Sequence, residues 1–150
     1  MGLEQFRRFL RSHERAALDS SLFIYHLQQH AKYSVFTNLL FRWMEEGTGN
    51  GVATTLAMTE VLVKPNLESN EKLTGEAFTL LKGYPNLEWV PVDLNIATLA
   101  ARHRAVYRLR TPDAMLSATA VLASADSIIT NDHAFKRVDV VDVAVLDDLL

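Results

Sequence analysis

Cysteine is absent from all 150 residues of the sequence. Without it the chain has no disulfide framework, no zinc site with thiolate ligands and no cysteine nucleophile. Long apolar runs are also missing, since none reaches the ~20 residues that a membrane-spanning helix needs. Arginines and glutamates interrupt the N-terminal region, where a signal peptide would carry its apolar segment. We therefore expect a cytoplasmic protein that makes no use of a membrane.

An excess of positive charge is lacking as well. The 18 acidic and 15 basic side chains leave a formal net charge of -3, whereas a protein that binds nucleic acid by electrostatics alone is basic overall. Any contact with nucleic acid must therefore come from a local basic patch or through a bound metal ion.

Short apolar segments alternate with longer segments of helical periodicity. The predicted strands are residues 16–18, 51–55, 87–90, 127–130 and 140–145. Helices of about ten or more residues between strands imply parallel pairing with right-handed crossovers. We therefore predict an α/β fold: a three-layer α/β/α sandwich around a central five-stranded parallel sheet. No linker or repeat interrupts the chain, so residues 1–150 are expected to form one domain, with an extra N-terminal helix over about residues 1–15.

Two aspartates follow predicted strands directly. Asp19 comes after the first strand, and Asp132 lies just beyond the fourth. In open parallel sheets, ligands bind outside the carboxyl ends of the strands, at the point where the strand order reverses. If the first and fourth strands are neighbours, the two carboxylates face each other across that crevice, but the sequence leaves the strand order open.

Two further acids lie in predicted helices. Thr111 is predicted to cap a helix with Pro112 at its first position, so Asp113 lies in the first turn. There the helix dipole favours negative charge, and we expect a lowered pKa for Asp113. Glu60 lies among apolar residues in a helix that is predicted to stop near Pro65. We expect this helix to be largely buried, and a glutamate on it costs stability if it is buried unpaired.

Converging carboxylates need compensation. Two like charges ~4 Å apart repel by about 4 kcal/mol at an effective dielectric constant of ~20, so such a cluster either takes up protons or binds a cation. Oxygen ligands without histidine or cysteine suit Mg²⁺ or Mn²⁺. Each aspartate also has a simpler interpretation, as a helix cap or a first-turn residue, and the residues alone leave both interpretations open.

Basic residues flank the proposed acidic site. Arg108 and Arg110 lead directly to Asp113, and Lys136 and Arg137 follow Asp132. These four are candidates for binding RNA phosphates. The alternative is that they are simply the solvated faces of helices.

Four segments resemble, in order, the motifs of PIN domains. The segment LDSSLFI resembles the opening motif, in which an aspartate is followed by threonine or serine. The segment TLAMTEVL resembles the second motif with its glutamate, and RTPDAMLSATA resembles the third, in which an aspartate opens a helix. The segment ITNDHAF resembles the fourth motif, in which a threonine supports the last aspartate. These segments are residues 18–24, 55–62, 110–120 and 129–135, and the resemblance spans about residues 16–145.

This resemblance implies a five-stranded parallel sheet and Mg²⁺- or Mn²⁺-dependent cleavage of RNA. Ser20 and Thr130 would orient the carboxylates of the site. The size is similar to VapC-type toxins of type II toxin-antitoxin pairs, which implies an antitoxin protein as partner and pairing into a homodimer. The alternative is a non-catalytic PIN-like scaffold that binds RNA or protein. By position, the catalytic and metal-binding set would be Asp19, Glu60, Asp113 and Asp132.

The chain departs from the resembled toxins in one respect. Such proteins usually begin almost directly with the first strand, whereas about fifteen residues precede it here. The additional helix is expected to pack on the fold, to cover a groove or to mediate dimerisation.

Overall fold

The computed structural model describes residues 2–150 and contains five parallel strands. The strands are β1 (Arg15–Leu18), β2 (Asn50–Thr54), β3 (Leu87–Val90), β4 (Ser127–Thr130) and β5 (Asp142–Val145). They form one sheet in the order β3-β2-β1-β4-β5, and every neighbouring pair is parallel. The predicted fold class is confirmed, and so is the adjacency of the first and fourth strands.

Helices lie on both faces of the sheet. They are α1 (Gly2–Arg11), α2 (Ser20–Gln28), α3 (Ser34–Glu45), α4 (Thr55–Leu67), α5 (Glu71–Lys82), α6 (Leu94–Tyr107) and α7 (Thr111–Leu122), followed by short 3₁₀ helices at His133–Arg137 and Leu146–Leu149. Alternate residues of β1 point to opposite faces. Leu18 therefore joins the core formed with α1 to α5, and Ala17 joins the core formed with α6 and α7. Within residues 2–150, no helix combines the length and the apolar character needed to cross a membrane.

Several predicted boundaries were wrong. Helix α4 does not stop before Pro65 but continues to Leu67. Proline is tolerated because only the last turn loses a backbone hydrogen bond, and Pro65 is among the residues that the helix buries. Strand β5 begins at Asp142 rather than at residue 140.

The start of α7 also differs from the prediction. Arg110 is the N-cap residue, and Thr111 is already the first helical residue. The Thr111 hydroxyl accepts a hydrogen bond from Nη1 of Arg104 at 2.9 Å, so it is used to join α6 to α7 rather than to cap the helix. Asp113 still lies in the first turn, as predicted.

Helix α1 packs through one apolar face. Phe6 is fully buried, and its ring meets Phe36 of α3 edge to face with 5.6 Å between centroids. Gly2 lies so close to the backbone of Leu149 that a Cβ there would come within 1.4 Å of the Leu149 carbonyl oxygen. His13, just after the helix, lies 2.8 Å from a carboxylate oxygen of Asp142. Helix α1 and the residues directly after it therefore contact α3, the first residue of β5 and the C-terminal 3₁₀ helix.

Candidate active site

The carboxyl ends of β1 and β4 bring Asp19 and Asp132 to the same edge of the sheet. Strand pairing places Leu18 beside Ile129, and the Asp19 amide donates to the Ile129 carbonyl at 3.2 Å. The Thr130 hydroxyl donates to Oδ2 of Asp19 at 2.7 Å and accepts from the backbone amide of Asp132 at 3.0 Å. One hydroxyl therefore connects the segments that carry both aspartates.

The other two predicted acids lie at this same edge. Asp19, Glu60 and Asp113 line one narrow cleft, together with Ser20. They come from three separate elements: the end of β1, the second turn of α4 and the first turn of α7. Asp132 does not line the cleft, but its charge acts on Asp113, and the two aspartates share an ion pair with Arg110. The structure therefore brings all four carboxylates together on one side of the sheet.

Asp113 is the most buried of these acids, with 7% of its surface exposed. Its pKa is raised from 3.8 to about 6, mainly by burial and also by the charges of Asp132 and Asp19, against the lowering effect of Arg110. The prediction that the helix dipole would lower this pKa was wrong. Loss of hydration and the neighbouring carboxylates together outweigh the dipole of one helix end.

Glu60 corrects another expectation. Helix α4 buries only one face, through residues such as Ala57 and Val61, and Glu60 is exposed rather than buried. Its pKa is nevertheless raised, first by partial desolvation of the carboxyl group and then by the charge of Asp19, against the lowering effects of a Ser20 hydrogen bond and of Arg110. Glu60 thus belongs to the electrostatics of the cleft, although the stability penalty expected for a buried glutamate does not apply.

The hydroxyl groups around Asp19 include one residue that the sequence analysis missed. Ser20 and Ser21 each lie 3.4 Å from a different carboxylate oxygen of Asp19. Ser21 was not singled out, although its position two residues after the aspartate is a signal for hydrogen bonding back to it. Asp19 is therefore held from two sides, by these serines and by Thr130.

The four basic candidates have different surroundings. Arg110 lies on the acids, with Nε 3.4 Å from Asp113 and Nη2 3.7 Å from Asp132. Lys136 pairs with Asp148 at 2.7 Å, and Arg137 donates to the carbonyl of Arg108 at 3.0 Å. Arg108 is exposed and has a left-handed backbone conformation (φ 56°) at the end of α6. Lys136 and Arg137 are thus engaged within the protein, and a role in RNA binding stays a prediction for all four.

The donor set fits a hard divalent cation in chemical type, because every predicted ligand is a carboxylate. The arrangement is not yet that of a closed metal site. Across residues 2–150, no three aspartate, glutamate or histidine side chains are placed so that they could hold a metal ion. Side-chain rotation would have to bring the carboxylate oxygens closer together.

Comparison with known proteins places this geometry in context. The family model of the PIN domain matches residues 16–141. No curated protein matches the chain significantly in sequence.

Solved structures share the fold at low sequence identity. FitAcB from Neisseria gonorrhoeae is 20% identical, with a TM-score of 0.67 over 87% of this chain and 97% of that chain. A toxin-antitoxin complex from Klebsiella pneumoniae is also 20% identical, with a TM-score of 0.63 over 87% of this chain and 97% of that one. VapBC2 from Rickettsia felis, bound to a DNA fragment from its promoter, is 13% identical, with a TM-score of 0.66 over 87% of this chain and 98% of that chain.

Proposed function

The chain belongs to the PIN domain family, and we propose that it is a Mg²⁺- or Mn²⁺-dependent endoribonuclease. Asp19, Glu60, Asp113 and Asp132 form the catalytic and metal-binding set of this proposal. The observation that carries it is the convergence of Asp19, Glu60 and Asp113, from three separate elements, on one cleft at the carboxyl edge of the sheet. A cluster of like charges at such an edge is unfavourable unless a cation or protons compensate it.

The residues of the cleft would perform distinct tasks. Thr130 and Ser20 donate hydrogen bonds to the Asp19 carboxylate and hold it in one orientation. Binding of a cation would then cost less side-chain entropy, because the carboxylate is already ordered. A divalent cation bound by the four acids would supply an acidified water molecule and positive charge opposite the scissile phosphate. Hydrolysis would proceed by in-line attack of a water oxygen on phosphorus, with breakage of the bond to the leaving 3′-oxygen.

A chelation and substitution experiment tests this activity. Asp113→Asn and an excess of chelator should each abolish cleavage of RNA, with the fold retained by circular dichroism. Asp126→Asn is the matched control, because Asp126 directly precedes β4 and therefore lies at the opposite edge of the sheet. Cleavage that persists in the Asp113 variant, in protein free of contaminating nuclease, would reject the assignment.

We further propose that the protein is the toxin of a type II toxin-antitoxin pair, acting in the cytoplasm, with a cognate antitoxin protein as partner and a homodimer as its assembly. The support is the fold shared with structures described as a toxin-antitoxin complex and as a member of the VapBC family of toxin-antitoxin systems. Expression of wild type beside Asp19→Asn tests this, with growth and RNA integrity followed in parallel. Arrest and RNA loss with wild type alone support the toxin role, and equal growth of both strains contradicts it.

A second candidate function is a non-catalytic PIN-like scaffold that binds RNA or protein. The observation in its favour is that Arg110 already compensates two of the four carboxylates in the structure. Calorimetric titration with Mn²⁺ separates the two candidates. Binding that is lost in Asp113→Asn favours the nuclease, and absence of Mn²⁺ binding to the wild type favours the scaffold.

A further inference from the structure

Arg110 occupies a special position at the mouth of the cleft. Its guanidinium group lies between Asp113 of α7 and Asp132 of the loop after β4, with Nε 3.4 Å from one carboxylate and Nη2 3.7 Å from the other. Its side chain is 77% exposed, against 9% for Asp113 and 34% for Asp132. The positive charge therefore covers the two acids from the solvent side.

No other cation takes this place. Within residues 2–150, Asp113 and Asp132 form ion pairs with Arg110 alone, and Asp19 and Glu60 form none. The backbone of Arg110 is fixed independently of its side chain, because its carbonyl accepts the amide of Ala114 at 2.9 Å as the N-cap of α7. The guanidinium group can consequently rotate away from the acids without any change in the helix.

We propose that Arg110 is an internal counter-cation of the acidic cleft, which a divalent metal ion displaces and which then becomes free to bind an RNA phosphate. This inference rests on the proposed metal-dependent function. The guanidinium group lies near Oδ2 of Asp113 and Oδ2 of Asp132, and its positive charge repels a second cation at the same carboxylates, so close binding of a divalent ion there would displace it. Displacement costs little, because the ion pairs of a largely solvent-exposed arginine contribute little net free energy. A released guanidinium group presents a planar pair of donors, which matches two phosphate oxygens.

Calorimetric titration of metal-free protein with Mn²⁺ tests the competition directly. Arg110→Ala and Arg110→Gln should bind Mn²⁺ about 3- to 10-fold more tightly than wild type, since each of the two lost ion pairs is worth a few-fold in affinity. Glutamine keeps most of the side-chain length without the charge, so agreement between the two variants shows that charge is what matters.

The matched control is Arg102→Ala. Arg102 is an exposed arginine of α6 that makes no ion pair with residues 2–150. Its removal eliminates the same formal charge, but solvent screening should limit the gain in Mn²⁺ affinity to less than about twofold. A gain at Arg110 that clearly exceeds the gain at Arg102 supports the inference, because a general change in net charge would raise both alike.

The possible outcomes separate this inference from the proposed function. Wild-type binding of Mn²⁺ with unchanged or weaker binding by both Arg110 variants overturns the inference alone, because Arg110 then orders the acids or leaves them unaffected. Absence of Mn²⁺ binding by wild type and every variant overturns the inference together with the metal-dependent function. Thermal melting of the metal-free variants shows that each is folded before it is titrated.

Discussion

Replacing Asp113 with asparagine should make the metal-free protein more stable. The carboxyl group is buried, and its pKa is raised from 3.8 to about 6, first by burial and then by the charges of Asp132 and Asp19 against the effect of Arg110. Because the folded protein holds this proton more tightly than the unfolded chain does, stability falls as the pH rises from about 4 through 6. The full penalty applies above the folded-state pKa.

The size of the effect follows from the same shift. At about 1.36 kcal/mol per pKa unit, the rise corresponds to about 3 kcal/mol. This net shift already includes the opposing effect of Arg110. Asp113→Asn should therefore raise the free energy of unfolding by about 3 kcal/mol near neutral pH, and the melting temperature by about 6–12 °C for a chain of this size.

Calorimetric melting in chelator, at about pH 7.5 and about pH 4, measures this effect and its pH dependence. The stabilisation should be present at the higher pH and should disappear at the lower one, where the carboxyl group is protonated in both states. Added Mn²⁺ should raise the melting temperature of wild type more than that of the variant. A variant that melts below wild type in chelator at the higher pH would refute the argument that the charged Asp113 carboxylate destabilises the fold.

Asp126→Asn provides a control of opposite sign. Burial raises the pKa of Asp126, but hydrogen bonds from the backbone amides of Glu14 and Arg15 outweigh it and lower that pKa overall. The charged form therefore stabilises the fold above the pKa of the unfolded chain, and this contribution is lost as the pH falls. The same substitution should destabilise the protein at neutral pH. If Asp113→Asn and Asp126→Asn change the stability equally, the asparagine side chain rather than its surroundings determines the result.

Three further predictions follow from single contacts. Thr130→Val should lower the free energy of unfolding by about 1–2 kcal/mol in a urea titration and weaken Mn²⁺ binding, because Asp19 loses its hydroxyl donor; unchanged binding would contradict its positioning role. Phe6→Ala should cost about 3–5 kcal/mol, since the side chain is fully buried; a loss below about 1 kcal/mol would show that α1 is loosely attached. Burial lowers the pKa of His103, which is hydrogen-bonded to Ser117 at 2.6 Å, so wild type should lose stability as the pH falls below 6.5, and His103→Gln should lose less in the same pH series of melts.

Local patterns were sufficient to predict much of this protein. The five strands lie within a few residues of their predicted positions, because short apolar segments between helices have few other stable arrangements. The order of Asp19, Glu60, Asp113 and Asp132 along four motifs indicated the PIN domain family, and the family match over residues 16–141 confirms it. The strand positions and the motifs depend on residues that are close in the sequence, so they can be recognised from the sequence alone.

The environment of each site residue was decided by the tertiary structure. Pairing of β1 with β4 makes neighbours of Asp19 and Asp132, which are far apart in sequence. The raised pKa of Asp113 and the exposure of Glu60 contradict the sequence-based expectations, because hydration depends on which elements pack around a carboxyl group and not on the residues beside it in the chain. The position of Arg110 across two carboxylates has the same origin, since Coulombic and desolvation energies depend on distances in space that sequence spacing does not specify.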